Sequence, residues 1–287
     1  MRSAAEIRKV GVVGLGTMGA GIAQVCLQAG IPTVGRDVTP ELGERATARI
    51  DHYLSRGVEK GRITADEKEG ALGLFTTTTD VADFADCDLV VEAVFEDLEV
   101  KRGLFGELER VVSREALLAT NTSALPVTEI AASIETPDRV VGMHFFNPAP
   151  VLPLVEVVRT NLCSEDAYET AVAFVERVGK APIRCGDTPG FVVNRILIPL
   201  LNDCVRVLDE AGVTPEDVDR AMTHGTNWPI GPCALIDLIG VDVHVHASEA
   251  LWEALREPRM APPPRLVRMA QAGLLGRKTG RGFFSYA

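Results

Sequence analysis

The chain has 287 residues, 46% of them hydrophobic and 24% charged, a balance that suits a globular protein of two domains with an ample core. Its 29 basic residues against 40 acidic ones leave a net charge of −11, which argues against nucleic acid or an anionic membrane as the main partner. The six cysteines are far apart, with no CxxC pair and no histidine at ligand spacing, so no disulfide framework and no metal site is expected and a reduced, cytoplasmic setting fits.

Arg8-Lys9 ahead of an apolar run has the outline of a signal peptide, but Gly11, Gly14 and Gly16 interrupt the run and no cleavage region follows. No stretch approaches a membrane span. From residue 9 to about 185 the pattern alternates between short apolar runs and longer amphipathic ones. Strands are expected over 9–14, 32–36, 73–78, 87–93, 116–120, 139–144, 153–158 and 181–185. Helices are expected over 17–30, 40–60, 64–71, 97–113, 126–132 and 165–179. The strands lack clean alternation, as in a sheet covered on both faces. The fold class is therefore α/β, a doubly wound sheet of the Rossmann type.

Asp187-Thr188-Pro189-Gly190 breaks this pattern, which divides the chain into domains 1–187 and 188–287. Beyond the break the strand signal vanishes, so the smaller second domain reads as all-α. Phe191 to Leu208 is almost wholly apolar, and a helix apolar all round must be buried on all sides. In a domain of about 100 residues that burial points to a second subunit, hence a homodimer. Thr214-Pro215 opens another helix. Val241 to Leu255 is helical in pattern, so His244 and His246 face different sides and do not suggest a metal site. A glycine-rich strap at 276–284 is expected to pack Phe283, Phe284 and Tyr286 onto the core.

Two features carry chemistry. Gly14-Leu15-Gly16-Thr17-Met18-Gly19 follows the first strand and opens the first helix, a dinucleotide-binding loop with the pyrophosphate at the helix N-terminus. The next strand ends at Asp37, about twenty residues on, where an acid takes the ribose hydroxyls. Arg36 beside it could accept a 2′-phosphate, but Asp37 would repel one, so NAD is expected over NADP. The second feature is His144, which ends Val140-Val141-Gly142-Met143, with Glu156 inside Leu154-Val155-Glu156-Val157-Val158. Two ionisable groups in buried strands are best accommodated facing each other, and a histidine oriented by a carboxylate is a general base. Ser123, after the strand at 116–120, is either a ligand contact or the N-cap of a following helix. Asn194, at the start of the apolar helix, needs a buried partner, which is a substrate carbonyl or a structural hydrogen bond. Arg56, Lys60 and Arg62 form a basic cluster on an acidic protein. Glu96 and Lys101 read in isolation as a solvated helix face.

With the glycine loop, Asn121-Thr122-Ser123, His144 with Glu156, and Asn194 in this order, the chain resembles the short-chain L-3-hydroxyacyl-CoA dehydrogenases, most of all the bacterial 3-hydroxybutyryl-CoA group. The resemblance runs from Gly14 to the terminal Gly276-Arg277-Lys278-Thr279-Gly280-Arg281-Gly282-Phe283-Phe284. It implies a second domain like that of 6-phosphogluconate dehydrogenase, and hydride transfer between NAD and the C3 carbon of an acyl-CoA. It also implies roles for residues. His144 is the base and Glu156 its partner. Ser123 and Asn194 bond near the reacting oxygen and thioester. Gly14, Gly16, Thr17, Met18, Gly19, Asp37, Glu96, Lys101, Asn121, Ser123 and Asn147 meet the cofactor. Lys60 meets the CoA phosphates. A dehydrogenase of a free 3-hydroxy or sugar acid, one acting on a carrier-protein thioester, and a crystallin-like or nucleotide-sensing protein remain as alternatives. The intact set of Ser123, His144, Glu156 and Asn194 argues against the last.

Overall fold

A computed structural model describes residues 3–286. The chain forms two compact units, Met1–Thr188 and Pro189–Ala287. The first is built on an eight-stranded sheet in the order β3-β2-β1-β4-β5-β6-β7-β8. The strands are β1 Val10–Val13, β2 Thr33–Arg36, β3 Phe75–Thr78, β4 Leu89–Glu92, β5 Leu117–Thr120, β6 Val140–Phe145, β7 Leu154–Arg159 and β8 Ala181–Gly186. Each lies within two residues of its expected span. The helices of this unit are α1 Thr17–Gln28, α2 Pro40–Glu59, α3 Ala65–Gly73, α4 Leu98–Val111, α5 Val127–Ala131 and α6 Glu165–Arg177.

Helical crossovers keep β1 to β6 parallel, since parallel neighbours need a long return connection. Between β6 and β7 there is no helix, only the segment 146–153, so β7 runs antiparallel to β6. β1, β4 and β5 are buried along their whole length, which explains why their sequences do not alternate. The main core packs Ile22, Val25 and Leu27 of α1 with Val12, Val91 and Val157 of the sheet and Ala171 and Phe174 of α6.

The second unit is helical: α7 Val193–Ala211, α8 Pro215–Gly225, α9 Pro232–Ile239, α10 Val241–Leu255 and α11 Pro264–Gln271. Its core gathers Leu201, Val205 and Leu208 of α7 with Val218, Ile236, Val241, Val245 and Leu266. The expectation that α7 is apolar all round does not hold. Asp203 pairs with Arg206 and Arg259, Asp209 pairs with Arg265, and Ile196 is 62% exposed. The helix is amphipathic, with a charged stripe beyond the apolar run that dominates its first half. Asp237, buried on α9, accepts from Phe283 N (2.9 Å), Phe284 N (3.0 Å) and Tyr286 Oη (3.0 Å), which straps the C-terminus to this core. No helix among the described residues is long and apolar enough to cross a membrane.

Candidate active site

The glycine loop sits between β1 and α1. Gly14 has φ +86°, and a Cβ there would lie 2.6 Å from the Ala93 carbonyl, so only glycine fits. A Cβ on Gly19 would lie 1.7 Å from the Gly14 oxygen, so α1 approaches the loop at backbone contact. Around Gly16 there is open space instead. Gly16 and Thr17 are exposed at the start of α1, and no side chain caps this helix. Uncapped N–H groups, an open approach and the positive end of the helix dipole make a cradle that fits a pyrophosphate. Asp37 follows β2, and its carboxylate accepts from Leu15 N and Val38 N, each at 2.7 Å. Those bonds aim it at the loop, while the N-cap of α2 is Thr39, so Asp37 is not spent on capping. Arg36 donates from Nε to the Thr79 carbonyl at 3.2 Å.

The centre of the site is the β6–β7 pair. His144 stands directly opposite Glu156 in the antiparallel register, so the two side chains share a sheet face. His144 Nδ1 lies 2.6 Å from Glu156 Oε2, and Glu156 is 0% exposed. An ionised carboxylate only accepts, so opposite an ionised Glu156 the hydrogen of this bond belongs to Nδ1. The Phe146 ring packs 4.5 Å from the imidazole, centroid to centroid, and limits its rotation.

The loop after β5 lies at the carboxyl ends of the strands, where ligands bind in such sheets. Asn121 Oδ1 accepts from Phe145 N at 2.8 Å, adding a side-chain rung beyond the last backbone pair, Thr120 with Gly142. Asn121 therefore holds the residue next to His144. Ser123 does not cap α5: the N-cap position is Pro126, and Asp187 accepts from Val127 N (3.1 Å) and Thr128 N (2.7 Å) instead. Glu96 Oε1 gathers this loop, accepting from Thr122 Oγ1 (2.6 Å), Ser123 N (2.9 Å) and Ala124 N (3.2 Å). Lys101 is not on a solvated face. It is 1% exposed, with Nζ 2.6 Å from Glu92 and 3.1 Å from Glu96. Glu92 itself escaped the sequence reading, although a glutamate ending the apolar run Leu89-Val90-Val91 carries the same signal as Glu156.

A cavity of about 560 Å³ opens between α1, α2 and the segment 146–153. Lys60 lines it with Arg49, Arg56 and Arg62, alongside Thr17, Tyr53 and Asn147. None of these four cations forms an ion pair among the described residues. The expected cluster of Arg56, Lys60 and Arg62 is thus gathered in one place, and Arg49 joins it from the preceding turns of α2. Asn194 lies half-buried in the first turn of α7, in the second unit.

Residues 9–188 match the model of the 3-hydroxyacyl-CoA dehydrogenase NAD binding domain, and residues 190–286 that of the C-terminal domain. The chain belongs to the 3-hydroxyacyl-CoA dehydrogenase family. It is similar to a 3-hydroxybutyryl-CoA dehydrogenase of Mycobacterium tuberculosis, 46% identical over 282 residues that cover 98% of this chain and 99% of the relative. It is 40% identical to 3-hydroxyadipyl-CoA dehydrogenase of Escherichia coli, over 98% of this chain and 59% of that one. The crystal structure of (S)-3-hydroxybutyryl-CoA dehydrogenase PaaH1 from Ralstonia eutropha superposes with a TM-score of 0.95 at 39% identity, covering 98% of this chain and 100% of that chain. As a member of this family the chain is an NAD-dependent hydroxyacyl-CoA dehydrogenase.

Proposed function

We propose that the chain interconverts (S)-3-hydroxybutyryl-CoA and acetoacetyl-CoA, with His144 as general base and Glu156 as its orienting partner. The observation that carries this reading is the buried 2.6 Å contact between His144 Nδ1 and Glu156 at the end of the sheet. In oxidation His144 Nε2 takes the proton of the 3-hydroxyl, and Glu156 stabilises the imidazolium that forms. In reduction the same nitrogen returns the proton to the ketone oxygen. Bound NAD supplies the acceptor for the C3 hydride. Gly14, Gly16, Thr17, Met18 and Gly19 hold its pyrophosphate and Asp37 its adenosine ribose. Glu96, Lys101, Asn121, Ser123 and Asn147 would hold the rest of the cofactor. The Ser123 hydroxyl donates to the reacting oxygen and fixes it near His144. For Asn194 the assignment as a substrate hydrogen-bond donor rests on the family pattern alone.

The four cations of the 560 Å³ cavity favour a CoA ester over a free acid. On a chain of net charge −11, unpaired arginines and a lysine around one cavity have a use in binding phosphates. The helical unit is proposed to mediate a homodimer, and the setting is proposed to be the cytoplasm. Sedimentation equilibrium at twice the chain mass checks the dimer.

The test is NADH oxidation followed at 340 nm with acetoacetyl-CoA, 3-ketoadipyl-CoA, free acetoacetate, and NADPH in place of NADH. Rapid turnover of NADH with acetoacetyl-CoA, and none with free acetoacetate, is the expected result. Preference for the dicarboxylic thioester would move the substrate assignment. Turnover of the free acid alone would overturn the CoA reading. Replacing Arg56 and Lys60 together by alanine is expected to raise the KM for acetoacetyl-CoA by about tenfold or more and leave kcat nearly unchanged, as loss of uniform binding does.

A further inference from the structure

The cavity of about 560 Å³ is framed by two helix stripes. Arg49, Tyr53, Arg56 and Lys60 recur at i, i+4, i+7 and i+11, which is one face of α2 with Lys60 as its C-cap residue. Thr17, Gly21, Gln24 and Gln28 recur at the same spacing on α1. Lys60 stands about 16 Å further along the axis of α2 than Arg49. The cations are thus spread along the cavity, and they are not equivalent. Among the described residues Arg49 alone of the four bonds to the glycine loop: its Nη1 donates to Thr17 Oγ1 at 3.3 Å. Thr17 opens α1 directly after Gly16, where no side chain caps the helix.

The character of that contact matters. It is a single bond to a neutral hydroxyl, and a guanidinium has several N–H donors, so most of them remain for other acceptors. Arg49 forms no ion pair among the described residues. A half-buried arginine held by one long bond keeps much of its rotamer freedom, and ordering such a side chain is among the larger entropic costs of binding. A fixed charge would attract two anionic ligands separately without linking them, because its Coulomb energies simply add. A side chain that must first be ordered does link them: the first ligand bears the ordering and the second finds it done.

We propose that Arg49 is shared by the phosphates of the two ligands and couples their binding: either one, once bound, orders the guanidinium that the other also uses. The inference rests on the placement of NAD at the glycine loop and of the CoA moiety in this cavity, made under the proposed function. The coupling is reciprocal, so CoA tightens NADH by the same factor by which NADH tightens CoA. It favours the ternary complex, in which hydride transfer takes place, over either binary one.

A thermodynamic box tests this. NADH dissociation constants are measured by fluorescence titration with and without saturating free CoA, for the parent, Arg49→Met and Arg56→Met. Free CoA carries the phosphates and no reacting carbonyl, so no turnover intrudes. In the parent, CoA is expected to tighten NADH by about three- to tenfold, the scale of ordering one arginine side chain. Arg49→Met is expected to weaken each ligand singly by about threefold or more and to bring the coupling factor to about one or below. Arg56→Met is expected to weaken CoA and to leave the coupling factor within about twofold of the parent's, since Arg56 makes no bond to the loop. An unchanged coupling factor in Arg49→Met would overturn the proposal, as would a loss of affinity confined to one ligand, which would give Arg49 to that ligand alone. Absence of coupling in the parent while both ligands bind, or its equal loss in Arg56→Met, would overturn it too. Free CoA that fails to bind the parent, or that binds without regard to Arg56, would remove the CoA reading of the cavity and this inference with it, a failure distinct from the others. Methionine is a good helix former and Arg49 is only half-buried, so the fold is expected to persist. Should Arg49→Met melt early, Arg49→Lys takes its place: it keeps the charge and loses the fork, and the coupling factor is expected to fall in the same direction.

Discussion

Glu156 gives the sharpest prediction at the scale of single residues. Glu156→Gln keeps the volume and one acceptor oxygen, but removes the charge that stabilises the imidazolium. Turnover is expected to fall by about 10² to 10⁴, the range of a general-base contribution, with NADH affinity and thermal stability changed little. Steady-state kinetics beside a melting curve check it, and turnover within about threefold of the parent would remove Glu156 from the mechanism. This pair was legible because an ionisable side chain inside an apolar strand needs a partner, and positions 144 and 156 lie symmetrically about the connection 146–153. The same logic applied to Glu92 would have found Lys101 nine positions on. It was hidden because a lysine near a helix start has solvent as its default surroundings, and only the contact of Lys101 on α4 with Glu92 on β4 shows otherwise. Asn121 is another case: its type and place after β5 were readable, but the bond to Phe145 N depends on how far β5 and β6 extend past each other.

Among the elements, the β1–loop–α1 unit separates folding from binding within one motif. Gly16→Ala places a methyl in open space, so the chain is expected to melt as the parent does. That methyl enters the approach of the pyrophosphate, and NADH affinity is expected to drop by about tenfold or more, about 1.4 kcal/mol. Gly19→Ala instead drives a Cβ into the Gly14 carbonyl, so α1 must move off the loop. Stability is expected to fall by about 1–3 kcal/mol, as for other overpacked sites, together with NADH binding. Parallel melting curves and fluorescence titrations of the two variants decide the matter, and a Gly16→Ala chain that binds NADH normally would refute this cradle. The strands were readable as short apolar runs bounded by glycine or charge. The antiparallel turn of β7 follows from the missing helix between β6 and β7. What misled was α7: inside Phe191 to Leu208 the apolar residues outnumber Asp203 and Arg206, which with Asp209 and Glu210 form one polar stripe of the helix. Ile198, Leu201, Val205 and Leu208 supply the buried face, and the polar stripe binds the segment 257–265 and not a second apolar surface.

Each unit of the molecule has a main core of its own, and the two differ in how acid reaches them. In the helical core His244 is 0% exposed; its Nε2 donates to Asn202 Oδ1 at 2.9 Å, and its Nδ1 has no partner among the described residues. Burial pushes its pKa down from 6.5 to about 4. The folded unit thus binds this proton less readily than the unfolded chain, so the stabilisation is complete above about pH 6.5 and is lost as pH falls toward about 4. A shift of that size corresponds to about 3 kcal/mol. In the sheet unit burial would raise the Glu96 carboxyl, but Lys101 and the bonds from Thr122 and Ser123 outweigh it and hold the group below its ordinary 4.5. Its contribution is present above that value and disappears only as pH falls further. The helical unit is therefore expected to loosen first on acidification. Both tryptophans, Trp228 and Trp252, lie in that unit, so tryptophan emission reports on it alone. NADH binding reports on the sheet unit. In a pH titration at fixed denaturant, the emission change is expected at a higher pH than the loss of NADH binding. His244→Gln keeps a donor for Asn202 and cannot titrate, so it should bring the two transitions together. Transitions that already coincide in the parent chain, or a gap that survives the substitution, would rule out His244 as the source of the difference.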